Sequence, residues 1–176
     1  MRKLRMSELN RLSTEAFKAE EKFPFIIALD EVRSLLNIGS VFRSADAFRS
    51  EGIVLGGLSP QPNKEMNKTA LGATESVDWS YTEEGILKPL MNLKNKGYQL
   101  WAVEQTSHAV DLKEWQPDLS AKQVLIFGNE VSGVSDEVLE ICDGAIEIPQ
   151  YGTKHSLNIS VSAGIVMWDF IKKFTA

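Results

Sequence analysis

Cysteine and histidine are nearly absent from this sequence of 176 residues, which contains only Cys142, His108 and His155. A single cysteine cannot form an intrachain disulfide bond, and so few thiol and imidazole groups exclude a metal site built from Cys or His. No apolar run approaches the length of a membrane-spanning helix. Residues 1–5 are basic, but polar residues follow where a signal peptide would have its apolar segment. We therefore expect a cytoplasmic protein without a metal and without membrane contact.

Positive charge is also scarce, since 19 Lys and Arg residues face 24 Asp and Glu residues, a formal net charge of −5. This balance argues against indiscriminate binding of nucleic acid, because neutralisation of phosphates supplies most of that affinity. The charge is uneven, however. Residues 1–22 hold six Lys and Arg against four Glu, whereas the remainder holds 13 against 20. A local basic patch on an acidic body remains compatible with these numbers.

Apolar runs alternate with amphipathic stretches along the chain. The composition, 43% hydrophobic and 24% charged, is that of a folded protein, and the length suffices for one core. Solidly apolar runs between helical patterns favour an α/β fold with a mostly parallel sheet flanked by helices. The pattern predicts strands at 25–29, 52–56, 77–81, 98–103, 123–127 and 145–148, and helices at 39–48, 83–96, 135–142 and 157–174. A short N-terminal helical extension at 1–22 precedes the domain at 23–176, and residues 57–68 are predicted as a loop.

The first segment with chemical potential begins at Asn37. We expect Asn37 to cap a helix and Arg43 to lie about one and a half turns further on, near the same helix end. A helix N-terminus beside a guanidinium suits a phosphate group. A capped helix with a surface arginine explains these two residues equally well.

The second segment is the glycine-containing loop that follows the strand at 123–127. It is not a phosphate-binding Walker A loop, because Val134 stands where that motif has lysine. The dinucleotide-binding pattern GxGxxG and the nucleophile-elbow pattern GxSxG are also absent from the sequence. What remains is a strand-end loop that presents backbone groups and one carboxylate, Glu130. An ordinary turn is the alternative explanation.

The third segment runs from Ile148 into the last predicted helix. Ser156 and Asn158 precede a helix whose small residues follow a spacing of three and four. Such a stripe is more often core packing than a cofactor site. His155 adjoins Ser156 in sequence, so the two side chains point apart, and we expect His155 to be a loop residue and not a catalyst.

Taken in this order, the three segments resemble the SpoU/TrmH group of the SPOUT superfamily, which are S-adenosylmethionine-dependent RNA ribose 2′-O-methyltransferases. The resemblance covers about residues 24 to 172. The motif N-x-G…R is matched by Asn37, Gly39 and Arg43, the motif G-x-E-x-x-G by Gly128, Glu130 and Gly133, and the motif I-P…SLN-[VI]-S-V by Ile148-Pro149 and residues 156–161.

This resemblance implies a fold that the residue pattern alone would not suggest, a deep trefoil knot formed by about residues 124–174. It also implies a homodimer packed largely through the knot, with tRNA or rRNA as the partner. The cofactor implied is S-adenosyl-L-methionine. The residues implied to contact it are Val103, Glu104, Gly128, Ile148, Ser156 and Leu157.

The catalytic residues implied are Asn37, Arg43, Glu130, Ser156 and Asn158. An arginine is effectively always protonated, so we expect Arg43 to clamp phosphate and stabilise the developing alkoxide instead of acting as a base. Residues 1–22, Arg49, Lys64 and Lys68 are candidate RNA contacts. Two alternatives stay open: a non-catalytic RNA-binding protein that keeps the fold, and an ordinary nucleotide-binding α/β enzyme.

Overall fold

The computed structural model describes residues 1–5 and 7–176, and of residue 6 the backbone alone. The described residues form a seven-stranded sheet in which every pairing is parallel. The spatial order is β3-β2-β1-β6-β4-β7-β5. This confirms the α/β class and the parallel sheet. The strands are β1 (Phe23–Asp30), β2 (Ser50–Gly56), β3 (Trp79–Thr82), β4 (Tyr98–Val103), β5 (Val110–Asp111), β6 (Lys122–Phe127) and β7 (Gly144–Glu147).

Helices cover both faces of the sheet. Strand residues point alternately to the two faces, so neighbouring positions in β1 enter different cores. Ile27 packs on the side of α1–α4 and α7, whereas Ala28 packs on the side of α5 and α6. The helices are α1 (Thr14–Ala19), α2 (Leu35–Ala47), α3 (Lys64–Ala70), α4 (Ala73–Ser76), α5 (Leu87–Asn95), α6 (Asp136–Ile141) and α7 (Ile159–Phe174), with a 3₁₀ helix at Met6–Glu8.

The C-terminal helix α7 is held to the body by an aromatic cluster. Phe170 is fully buried, with its ring centroid 5.1 Å from that of Phe25, 6.4 Å from that of Trp115 and 5.9 Å from that of Phe174. Helix α7 also packs against α2. The chain therefore passes from β7, near one edge of the sheet, back to the helix that follows the interior strand β1.

Several predicted boundaries are wrong, each for a local reason. Helix α2 begins at Leu35 and not at residue 39, because Ser34 is its N-cap and its Oγ accepts a hydrogen bond from the Asn37 N–H (3.3 Å). Asn37 is thus inside the first turn instead of capping it. Arg43 consequently lies in the second half of α2, away from the positive helix end expected to help bind phosphate.

The segment predicted as a loop at 57–68 contains the start of α3. Asn63 caps this helix, since its Oδ1 accepts hydrogen bonds from the N–H groups of Glu65 and Met66 at 2.9 Å each. The helix predicted at 83–96 starts later, at Leu87, and the last helix begins at Ile159. The six predicted strands and α6 agree with the structure to within about two residues at each end, whereas the short strand β5 and helix α4 were not predicted.

None of the helices that the structure describes is long and apolar enough to cross a membrane. The cytoplasmic location stays a prediction. Burial raises the pKa of Cys142 to about 11, so its thiol is protonated at neutral pH and is not a nucleophile there.

Candidate functional site

A cavity of about 500 Å³ opens where β4, β6 and β7 end. Parallel sheets place their ligands at this edge, and cofactor cavities measure about 300–1,000 Å³. Three loops build its walls: the one after β4, the one between β6 and α6, and the one between β7 and α7. All six residues predicted to contact the cofactor line it: Val103, Glu104, Gly128, Ile148, Ser156 and Leu157.

The loop between β6 and α6 is folded back on itself. Asn129 and Gly133 exchange two backbone hydrogen bonds of 2.9 Å, and the Asn129 side chain accepts a further one from the Val131 N–H (2.8 Å). A Cβ atom on Gly128 would overlap the backbone of Gly133 and Val134. Gly133 itself has a φ of +72°, a conformation that favours glycine. Both glycines of the second motif are therefore required by the shape of the loop.

A chain of side-chain hydrogen bonds joins three of the five residues predicted to be catalytic. Asn158 Nδ2 donates to Asn37 Oδ1 at 3.1 Å, and Asn37 Nδ2 donates to Glu130 Oε1 at 3.1 Å. Glu130 also accepts from the backbone N–H groups of Arg33 (3.3 Å) and Ser34 (3.2 Å). Because Asn37 uses both ends of its amide, its orientation is fixed.

These hydrogen bonds keep Glu130 ionised. Partial burial is the largest single effect and raises its pKa, but the bonds from its own N–H, from the Asn37 side chain and from the backbone of Arg33 and Ser34 together lower it below the ordinary value. The stability that this carboxylate contributes is therefore present above its unfolded-state pKa. It is lost as the pH falls through the lower folded-state pKa.

The charged residues that line the cavity are all acidic: Glu104, Glu130 and Glu147. Two of them are held by backbone N–H groups, since Glu104 accepts from Gln105 (2.9 Å) and from Val134 (3.1 Å). Among the described residues no lysine or arginine lines this cavity. Its field therefore favours a ligand with positive charge and disfavours one with several phosphates.

Glu147 and Gln105 are lining residues that sequence reasoning missed. Glu147 is the last residue of β7, and no motif distinguishes it from any other strand-end carboxylate. Gln105 donates from Nε2 to the His155 carbonyl at 3.0 Å and so connects two of the three loops. Only the strand-end position of each residue could have indicated a place in the site.

Arg43 lines a different cleft from the other predicted catalytic residues. Its exposed side chain lies in a cleft of about 470 Å³ between α2, residues 10–14 and the turn from α3 to α4. Within one chain, Glu130, Ser156 and Asn158 line the strand-end cavity, and Asn37 is hydrogen-bonded to two of them. Arg43 is not among the residues that line it. Across the part of the chain that the structure describes, no group of three or more His, Cys, Asp or Glu residues is arranged to hold a metal.

Gly128→Ala tests the packing of the loop. The added methyl group forces Gly133 and Val134 away, and overpacking of this kind costs about 1–3 kcal/mol. We expect affinity for S-adenosyl-L-methionine, measured by calorimetry, to fall about tenfold to hundredfold. Gly152→Ala is the matched control, because nothing lies within 4 Å of a Cβ there. Equal affinity in Gly128→Ala and wild type would contradict the role given to this loop.

The sequence model of the SpoU rRNA Methylase family matches residues 24–168. A tRNA (guanosine(18)-2′-O)-methyltransferase of Aquifex aeolicus is 33% identical over 147 residues, which are 82% of this chain and 67% of that protein. The 23S rRNA (guanosine-2′-O-)-methyltransferase RlmB of Shewanella oneidensis is 30% identical over 160 residues, 88% of this chain and 62% of that protein. The chain thus spans about two thirds of the length of these relatives.

Solved structures agree with the sequence match. The crystal structure of the Aquifex aeolicus TrmH/SpoU tRNA modifying enzyme superimposes with a TM-score of 0.78 at 28% identity, covering 91% of this chain and 79% of that one. The AdoMet-bound rRNA methyltransferase of Sinorhizobium meliloti gives a TM-score of 0.76 at 25% identity, covering 87% and 58%. The chain belongs to the SpoU rRNA Methylase family.

Proposed function

We propose that this protein transfers a methyl group from S-adenosyl-L-methionine to a ribose 2′-hydroxyl of tRNA or rRNA. The acidic lining of the strand-end cavity carries the proposal. S-adenosyl-L-methionine has a sulfonium group, an ammonium group and a single carboxylate, so its net charge is positive. The negative charges of Glu104, Glu130 and Glu147 favour such a ligand. Membership of the SpoU family supports the same reaction class, and the Aquifex and Shewanella relatives are named for guanosine 2′-O-methylation.

The cavity residues fit that cofactor by size as well as by charge. S-adenosyl-L-methionine would supply an activated methyl group, so the protein's task is chiefly alignment of the acceptor oxygen with it. Gly128 and the loop after β7 would hold this cofactor through main-chain groups. Ser156 and Leu157 close the side of the cavity next to α7.

On the acceptor side, the fixed amides of Asn37 and Asn158 orient the ribose. Asn158 is held in turn, because its Oδ1 accepts from the Ser160 N–H (2.9 Å) at the start of α7. Arg43 stabilises the negative charge that develops on the 2′-oxygen and binds the neighbouring phosphate. We call the strand-end cavity that would hold S-adenosyl-L-methionine the donor cavity. This role requires Arg43 to reach a donor cavity, but Arg43 does not line the one in its own chain.

A homodimer meets that requirement. Val161, Ile165 and Trp168 recur at helical spacing on α7 and remain 49%, 38% and 57% exposed. Such an apolar stripe is typical of an interface, and a two-fold dimer would bury it against its own copy. By contrast, Ala163 and Met167 on the other side of this helix are fully buried in the chain's own core and are not available to a partner.

The position of the stripe favours a shared active site. The first turn of α7 adjoins the donor cavity, and Ser162 on that turn lines it. Further along the exposed stripe, Trp168 packs on Phe48 at the end of α2, with ring centroids 6.0 Å apart. Two antiparallel copies of α7 would bring the α2 end of one chain to the donor cavity of the other. Arg43 of the partner subunit then completes each site.

The trefoil knot at 124–174 belongs to the same proposal. Strand β6 inserts between β1 and β4, which precede it in the chain, and α7 then returns from β7 to pack on α2. This course of the chain supports a knotted crossing of the loops that surround the donor cavity.

Calorimetry with S-adenosyl-L-methionine tests the function directly. We expect binding that persists in excess chelator, since no metal takes part, and methylation of bulk tRNA or rRNA that protects the modified ribose from alkaline cleavage. ATP and NAD should not bind, because three carboxylates and no lysine or arginine line the cavity that their phosphates would enter. Binding of ATP in place of the methyl donor would favour a nucleotide-binding enzyme, and RNA binding without donor binding would favour the non-catalytic alternative.

The dimer is tested by charge substitution on α7. Trp168→Glu places a carboxylate in the stripe that the proposed dimer would bury, and we expect monomers at micromolar concentration in sedimentation velocity, with methylation lost. Met91→Glu is the control, because Met91 is 49% exposed on α5, on the opposite face of the sheet. A wild-type protein that sediments as an active monomer would refute the shared site.

A further inference from the structure

Four clefts of the described residues differ in the charge of their lining. The donor cavity carries three carboxylates, and a cleft beside Gly57 and Gly85 carries five, with no lysine or arginine in either. A third cleft is lined by one acidic residue, Glu130, and one basic residue, Arg33. Of these four, only the cleft that Arg43 lines has an excess of positive charge, with three arginines against Asp46 and Glu75.

Two of its three arginines are available to a ligand. Arg49 is engaged by Glu20 (2.9 Å) and lies over the ring of Phe23. Arg11 and Arg43 make no side-chain hydrogen bond and no ion pair with any described residue. They belong to different parts of the chain, Arg43 to α2 and Arg11 to the N-terminal segment that precedes α1. Two unpaired guanidinium groups on the walls of one cleft match the oxygens of a phosphodiester.

The N-terminal segment is held in place by several contacts. Phe17 of α1 is buried in the core against which α2 and α7 pack. The Lys22 ammonium donates to the carbonyl groups of Phe17 and Glu20, and the Arg49–Glu20 pair ties the end of α1 to the body. Asn10, next to Arg11, has a φ of +47°, so the chain turns sharply there. Arg11 is therefore presented from an anchored segment.

The acidic groups of the cleft do not cancel this arrangement. Asp46 accepts a hydrogen bond from the Ser76 hydroxyl, which occupies its carboxylate on the wall. Glu75 is exposed at the end of α4. By formal charge, the three arginines of the cleft exceed these two carboxylates by one, which favours an anion there.

We propose that the cleft between residues 10–14 and α2 binds a backbone phosphate of the RNA substrate through Arg11 together with Arg43. The inference rests on the proposed methyltransferase function and adds Arg11 as a positioning residue for the acceptor strand. Arg11 and Arg43 then hold the same phosphate, which strengthens the binding of the RNA strand beside the reacting ribose. Arg11 acts on binding and not on the methyl transfer itself.

Arg11→Gln tests this, with Lys88→Gln as the control, because Lys88 is an exposed cation of α5, on the opposite face of the sheet from the cleft. Unfractionated bacterial tRNA and rRNA serve as probes, and their affinity is measured by fluorescence across a salt series. Loss of one phosphate contact lowers the slope of log K against log salt concentration by about one. We expect that change in Arg11→Gln alone, with an unchanged thermal midpoint and unchanged affinity for S-adenosyl-L-methionine.

In methylation assays we expect the RNA KM of Arg11→Gln to rise while kcat stays near the wild-type value. An equal change in Lys88→Gln, or an unaltered salt slope in Arg11→Gln, would overturn the assignment of this cleft to RNA. Methylation by the wild-type protein would leave the proposed function standing in either case. A fall in kcat at unchanged KM would also overturn it, since a phosphate contact made before the transition state acts on binding. A wild-type protein that binds the methyl donor but neither RNA would contradict both proposals.

Discussion

The arrangement of the site depends on the hydrogen bonds that the Glu130 carboxylate accepts. This carboxylate accepts hydrogen bonds from the loop between β1 and α2 and from the first turn of α2, and through Asn37 it reaches Asn158 at the start of α7. Segments separated by more than 90 residues are thereby fixed at one edge of the sheet. Hydrogen bonds to an ionised acceptor are stronger than neutral ones, which suits a group that must position two amides.

Charge is divided between two clefts, which in the proposed mechanism serve different halves of one reaction. The donor cavity is lined by Glu104, Glu130 and Glu147, whereas the acceptor cleft presents Arg11 and Arg43. A protein of net charge −5 can therefore bind a polyanion at one place while the donor cavity repels it. In the proposed mechanism the same division requires a second copy of the chain, because Arg43 lies outside the donor cavity of its own chain.

The sheet was largely predictable from the sequence, because buried parallel strands are continuous apolar runs such as residues 25–29 and 123–127. Helix starts were less so. The α2 start was misplaced because Ser34 and Asn37 are both good N-caps, and only the backbone decides which of them takes that position. Helix α3 was missed because the prolines at 60 and 62 give its approach the composition of a loop.

The candidate site was predictable where motifs mark it. All six predicted cofactor contacts line one cavity, and three predicted catalytic residues form one hydrogen-bonded chain. Glu147 carries no motif, and the separate location of Arg43 depends on the packing of residues 10–14 against α2. Neither follows from local sequence, since both arise from contacts between distant segments.

Mixing two defective chains measures the shared site most directly. Chains carrying Arg43→Ala and chains carrying Gly128→Val should each be inactive, because the first lacks the cation and in the second a side chain larger than a methyl group displaces the loop that lines the donor cavity. After unfolding and refolding of an equimolar mixture, half of the dimers are mixed and each holds one complete site, so methylation should recover to about a quarter of the wild-type rate. Activity of the mixture no greater than the sum of the two separate proteins would contradict the account.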